Sequence, residues 1–165
     1  MPVHSTTADL AADARDLTPV QLLRLARLFA GRPGIADEAT ARPDADPHER
    51  TWLQLAGAPH LQVWLIRWPP GTSTGWHDHG RAVGAFTVVR GALTERTRVA
   101  QVQEERLGAG DGRAFGASHV HDVVNLGEDE AVSIHAYSPS LEQMTHYDLV
   151  DGRLHPAGVE RREVW

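Results

Sequence analysis

Two short stretches of this 165-residue chain place histidines two residues apart: His77 and His79 in "GWHDHG", and His119 and His121 in "HVHDVVN". In a strand, residues i and i+2 project to the same side, so each pair can aim two imidazoles at one point. Neutral imidazole suits zinc, copper, iron and nickel, and carboxylates would add manganese. Three histidines with open positions hold catalytic zinc as readily as iron, so spacing does not choose the metal. The chain has no cysteine, which excludes disulfides, thiolate catalysis and thiolate ligands. Any transition metal is therefore left to His, Asp or Glu. Each pair alone is also consistent with a polar loop; two pairs, each at the edge of an expected strand, favour a metal site. Of the ten histidines, His4, His48, His60 and His155 lie in expected loops beside Pro, Asp or Ser and read as solvated. His135 and His146 remain as further candidates.

The elements that must hold these residues follow from punctuation and periodicity. "LTPVQLLRLARLFAG" reads as a helix with Thr18 as cap, Pro19 in the first turn and Gly31 past the end. Leu22, Leu25, Ala26 and Phe29 form its apolar stripe, so its expected role is packing. Residues 1 to about 16 read as loose or weakly helical, and "GRPGIADEATARPDADPHER" as a Pro/Asp linker. After Arg50 come short runs rich in Val, Ile, Trp, Thr and Tyr, separated by Gly, Asp-Gly and Pro. "TVVRGALTE" is a hairpin candidate with Arg90-Gly91 at its turn. Such spacing after one N-terminal helix predicts a mainly β protein, a closed antiparallel barrel or jelly roll. The expected organisation is one domain, with an N-terminal helical segment and linker over 1–50 and the barrel over 51–165. A formal charge of −6 argues against nucleic-acid or anionic-membrane partners, which need a basic face. The N-terminus shows no leader pattern and apolar runs such as "VWLI" are too short to span a bilayer, so a cytoplasmic location is expected.

From about Trp52 to Tyr147 the chain resembles the cysteine dioxygenase family, non-haem iron thiol dioxygenases built on a cupin-type jelly roll. Three segments carry the resemblance: "GWHDHGRAVGAFTVVRGALTE", "HDVVN" as the family's H-x-x-x-N, and "SIHAYSP" as its S-x-H-x-Y-S-P. The last is the most specific. The resemblance implies Fe(II) held by His77, His79 and His121, with His119 the rival third ligand and Asn125 favouring His121. Facing the metal it implies Tyr137, hydrogen-bonded through His135 to Ser133. Positions 133, 135 and 137 share one strand face, where hydroxyl, imidazole and phenol in a row can form a proton relay. The plainer reading is a strand with satisfied core polar residues. Three neutral imidazoles would leave the site at +2 with up to three open positions, and a coordinating thiol is deprotonated outright. The implied reaction places both atoms of dioxygen on the sulfur of a small thiol, giving a sulfinate.

Two departures from the family pattern matter. Some members cross-link the catalytic tyrosine to a cysteine five residues after H-x-H; here that position is Gly84. Cysteine-specific members anchor the substrate carboxylate with an arginine two residues after a tyrosine, and the register adopted places Trp52 and Gln54 there. A neutral amide cannot reproduce the paired charged hydrogen bonds of a guanidinium. Relatives with glutamine resemble 3-mercaptopropionate dioxygenases but supply an arginine on the C-terminal side, where this chain has His146 in "EQMTHYDL". Arg50 serves only if that register slips, and Arg161 or Arg162 could fold back toward the pocket mouth. The substrate is then a differently held carboxylate or another thiol, such as a heterocyclic one of the ergothioneine type stacked on Trp52. For Trp52 and Gln54 the competing reading is an ordinary core residue and surface amide. A non-catalytic metal-binding cupin, or a zinc or nickel isomerase or hydrolase, are the other classes.

Overall fold

The computed structural model describes residues 15–41 and 46–161. The loose segment expected at the N-terminus, part of the linker and Arg162 fall mostly or wholly outside those residues. Helix α1 (Pro19–Ala30) starts with a capping box: Thr18 Oγ1 accepts from Gln21 N at 3.3 Å, and Gln21 Oε1 accepts from Thr18 N at 2.9 Å. That exchange satisfies two of the donors a helix start leaves unpaired. The expected linker contains a further short helix, α2 (Ile35–Thr40). Its Ile35 and Ala39, one turn apart, are both buried, so packing overrides the turn-like composition.

Eleven strands follow among the described residues: β1 (Thr51–Ala58), β2 (Leu61–Trp68), β3 (Trp76–His77), β4 (Val83–Arg90), β5 (Ala92–Arg98) and β6 (Val102–Gly108). Then come β7 (Gly112–Phe115), β8 (His121–Val124), β9 (Ala131–Ser138), β10 (Gln143–Val150) and β11 (Arg153–Arg161). They form two antiparallel sheets, ordered β1-β2-β9-β4-β7 and β11-β10-β3-β8-β5-β6. The expected hairpin at Arg90-Gly91 is instead a corner between the sheets. Strand β4 pairs with β7 and β9, whereas β5 pairs with β6 and β8. Gly91 makes the corner with φ of 72°, and a Cβ there would sit 2.8 Å from Glu130 O. Only glycine allows that approach.

Strand β9 organises the interior, with all eight of its residues buried. Val132, Ile134 and Ala136 pack with Leu22 and Ala26 under the helices. The opposite parity, Ser133, His135 and Tyr137, therefore points between the sheets, where Trp68, Phe86, Val88, Leu93 and Phe115 form the second core.

Candidate metal centre

Strand β3 is only two residues long, yet its register decides the site. His77 stands opposite His121 of β8 on one side and His146 of β10 on the other. His79 follows in the loop, and the three imidazoles of His77, His79 and His121 converge with ring centroids 4.8, 4.8 and 5.1 Å apart. One nitrogen from each lies within 4.8 Å of the others. His77 donates from Nδ1 to Gly75 O at 2.9 Å, and His121 donates from Nδ1 to Glu95 Oε1 at 2.8 Å. Both acceptors lack protons, so these bonds fix the tautomer and leave Nε2 with a lone pair. Burial, helped by the neighbouring His121, pushes His77 down to about 3. Burial and the adjacent imidazoles hold His79 well below its usual value, and burial also lowers His121 against the pull of Glu95. All three are thus neutral near pH 7, the form that binds a metal. Both ring nitrogens of His79 are buried without a hydrogen-bond partner among the described residues. An ion bound by the three rings would satisfy one of them, so the donor set fits a metal.

Glu95, on β5 and only 3% exposed, is the site residue that sequence reasoning missed. It accepts hydrogen bonds from His119 Nε2 at 2.9 Å, from His121 and from Arg113 Nε at 3.2 Å. Burial pushes its carboxyl up, but the histidine hydrogen bonds outweigh that and hold it at about 2. A charge in the parity of buried Leu93 was the available signal. His119 turns to Glu95, while Glu95, His119 and His121 make a second group of donors close enough to hold an ion. Asn125 closes the turn after β8, donating to Trp68 O and Asp129 O. Asp78 accepts from Gly80 N and Tyr147 Oη.

Ser133, His135 and Tyr137 form a hydrogen-bonded row. Trp68 Nε1 donates to Ser133 Oγ at 2.8 Å, Ser133 Oγ lies 2.9 Å from His135 Nε2, and His135 Nδ1 lies 3.3 Å from Tyr137 Oη. The serine hydroxyl accepts from the indole and bonds to Nε2, so the imidazole bridges the hydroxyl and the phenol with one ring nitrogen to each. Burial raises the phenol well above its usual value, partly opposed by Arg50, and burial holds His135 well below its own. Phe86 stacks on His135 with centroids 4.9 Å apart.

His77, His121, His135 and Tyr137 open on one cavity of about 130 Å³, whose lining also includes Arg50, Trp52, Trp64, Met144, His146 and Glu160. Trp52 borders it while 43% exposed. His146 donates from Nε2 to Glu160 Oε2 at 2.8 Å beside it. Gln54 does not line it. On edge strand β1, beside a bulge, its Nε2 donates to Ala56 O at 3.3 Å, and it borders a separate surface cleft. The cationic group in the cavity is Arg50, just before β1, whose guanidinium lies 5.0 Å from the Trp68 ring centroid. Gln54, which the register adopted places at the family's arginine position, thus lies outside this cavity, and Arg50 lies in it. Arg161 is exposed and outside the lining, where its neighbour Glu160 stands.

The profile of the family "Cysteine dioxygenase type I" matches residues 5–150. The chain belongs to that family. Solved structures extend the likeness to the cupin fold. An uncharacterised conserved protein with a double-stranded β-helix domain from Klebsiella pneumoniae aligns with TM-score 0.54 and 20% identity, over 74% of this chain and 94% of that one. An oxalate oxidase aligns with TM-score 0.54 and 16% identity, over 64% of this chain and 59% of that one, so this chain spans less than two thirds of its length. KdgF from Halomonas sp. aligns with TM-score 0.51 and 25% identity, over 58% and 83%. In this cysteine dioxygenase family member, no helix among the described residues is long and apolar enough to cross a membrane.

Proposed function

We propose that the protein is a mononuclear Fe(II) thiol dioxygenase, converting a small thiol RSH and dioxygen into the sulfinic acid RSO₂H. The observation that carries this reading is the shared cavity: His77 and His121 of the neutral, buried three-histidine cluster and His135 and Tyr137 of the hydrogen-bonded row line the same space. His77, His79 and His121 would hold the iron. The ion would supply a +2 charge that deprotonates a thiol and the redox chemistry that joins sulfur to oxygen. Tyr137 donates its proton into the cavity and orients the reacting oxygen or the substrate's polar end, and His135 and Ser133 fix that phenol. The apolar wall of Trp64, Ile66, Val123 and Met144 keeps bulk water away.

Arg50 supports a substrate that carries a carboxylate, since its guanidinium can grip both oxygens. Cysteine and 3-mercaptopropionate both meet that description. A heterocyclic thiol is the second reading, favoured by the partly exposed Trp52 at the cavity mouth, which offers a ring to stack on. The test is oxygen uptake by anaerobically iron-loaded protein with cysteine, 3-mercaptopropionate, cysteamine, mercaptosuccinate and ergothioneine. The expected result is near one iron per chain and a product that has gained two oxygen atoms, fastest with a carboxylate thiol. Bound iron without oxygen uptake across the panel would establish a non-catalytic cupin. A preference for zinc or nickel with hydrolase or isomerase activity would replace the dioxygenase reading.

A further inference from the structure

A metal-bound histidine commits one nitrogen to the ion and gives its other N–H to a carboxylate, a carbonyl or a water. His77 gives it to Gly75 O and His121 to Glu95. His79 has no such partner among the described residues, although it is 1% exposed. Phe115 stacks on its ring with centroids 5.0 Å apart, and Tyr137 lies 5.1 Å from it at a tilt of 33°. An ion shared with His77 and His121 would take one of its nitrogens, which leaves the other to be accounted for.

His79 is absent from the lining of the Tyr137 cavity and instead borders another, of about 230 Å³, with Arg81, Ala82, Ser140, Glu142 and Gln143. Ser140 in that wall is 5% exposed, and its Oγ is also buried without a partner among the described residues. Two residues that each bury an unpartnered polar atom therefore line one polar space. The two cavities share no lining residue. The second one does share Arg81, Ser140 and Glu142 with the open surface cleft beside Gln54. Solvent can reach it by that side. Its size exceeds the roughly 30 Å³ share of one liquid water, and its wall offers the two to four polar partners that an ordered water needs.

We propose that this second cavity is a water site that completes the metal centre: a water from the cleft accepts the outer N–H of His79 and hydrogen-bonds to Ser140 Oγ. His79 is then the ligand fixed by solvent, where its two companions are fixed by protein. Ser140 acts as a positioning residue, through the water and the imidazole. The inference rests on His77, His79 and His121 being metal ligands and is independent of the thiol chemistry.

The test uses the full chain loaded with Zn(II) alone. Stoichiometric Zn(II) binding by the unaltered protein is the requirement shared with the metal-site reading, and its absence would sink both. For the water site itself, the ring N–H of His79 should exchange with solvent faster by NMR than those of His77 and His121. A crystal structure of the Zn(II) form should place a water within hydrogen-bond distance of His79 and Ser140 Oγ. Ser140→Val, which removes the hydroxyl and fills space, should weaken Zn(II) binding about 10–100-fold. Ser140→Thr, which keeps the hydroxyl, should restore binding toward that of the unaltered chain. Slow exchange at His79, a dry cavity, or undiminished Zn(II) affinity in a folded Ser140→Val protein would each overturn the proposal. If Ser140→Val does not fold, the exchange and crystal measurements on the unaltered chain still decide it.

Discussion

Arg50 and Gln54 stand four residues apart and meet different surroundings. Arg50 reaches the cavity beside Trp68, while Gln54 bonds back to Ala56 O on the outer edge. Loss of a charge-assisted hydrogen bond costs about 1.5–3 kcal/mol. Arg50→Gln should therefore lower kcat/KM for carboxylate thiols by about 10–100-fold. Cysteamine, which lacks the carboxylate, should be little affected. Gln54→Arg should leave the substrate profile unchanged, and steady-state oxygen uptake measures both variants. The spacing of "WLQ" offered no way to see this. A bulge between Gln54 and Ala56 changes what the alternation of an edge strand delivers to each face. The histidines were more legible, because i and i+2 on short strands leave little freedom in where the rings point. Glu95 was hidden among the charges of "TERTR", where only parity with Leu93 distinguishes it.

Among the elements, β9 shows why the Ser-His-Tyr spacing could be read in advance. With the helices covering Val132, Ile134 and Ala136, the other three positions have one direction left. The corner at Gly91 was not readable, since a glycine turn between two strands looks alike whether they pair or part. The pairing of β4 with both neighbours gives Gly84 a definite role: it stands opposite Tyr137 on β9 and Phe115 on β7. A Cβ there would lie 2.5 Å from the Phe115 ring and 3.0 Å from Tyr137 Cδ1. Phe115 thus fills the space beside the tyrosine where other family members are implied to carry a cysteine. Gly84→Ala should destabilise the protein by about 1–3 kcal/mol through overpacking, read by urea denaturation. Gly84→Cys combined with Phe115→Ala should recover part of that loss, because the smaller side chain frees the site.

At the scale of the whole molecule, the buried imidazoles make the metal-free protein sensitive to acid. His77 has its pKa lowered from 6.5 to about 3, and His135 lies well below the same starting value, both first through burial. Between the folded and unfolded values the unfolded chain binds more protons, so stability falls as pH drops below about 6.5 and is flat above it. Each such histidine contributes at most about 1.4 kcal/mol per pH unit. Urea midpoints of the metal-free protein should therefore be level from pH 8 to 7 and decline from pH 6.5 to 5. The six-stranded sheet carries a second consequence of β3 being two residues long. The β10–β11 hairpin reaches the rest of its sheet through the pairs His146↔His77 and Tyr147↔Trp76. It also bears His146 and Glu160, at the cavity's edge. So slender an attachment makes the hairpin a separate unit of opening, and its amides should exchange with deuterium earlier than those of β9, measured by mass spectrometry of peptic fragments. The barrel then resembles a vessel with a hinged rim: rigid along β9, loosest along the hairpin that borders the cavity.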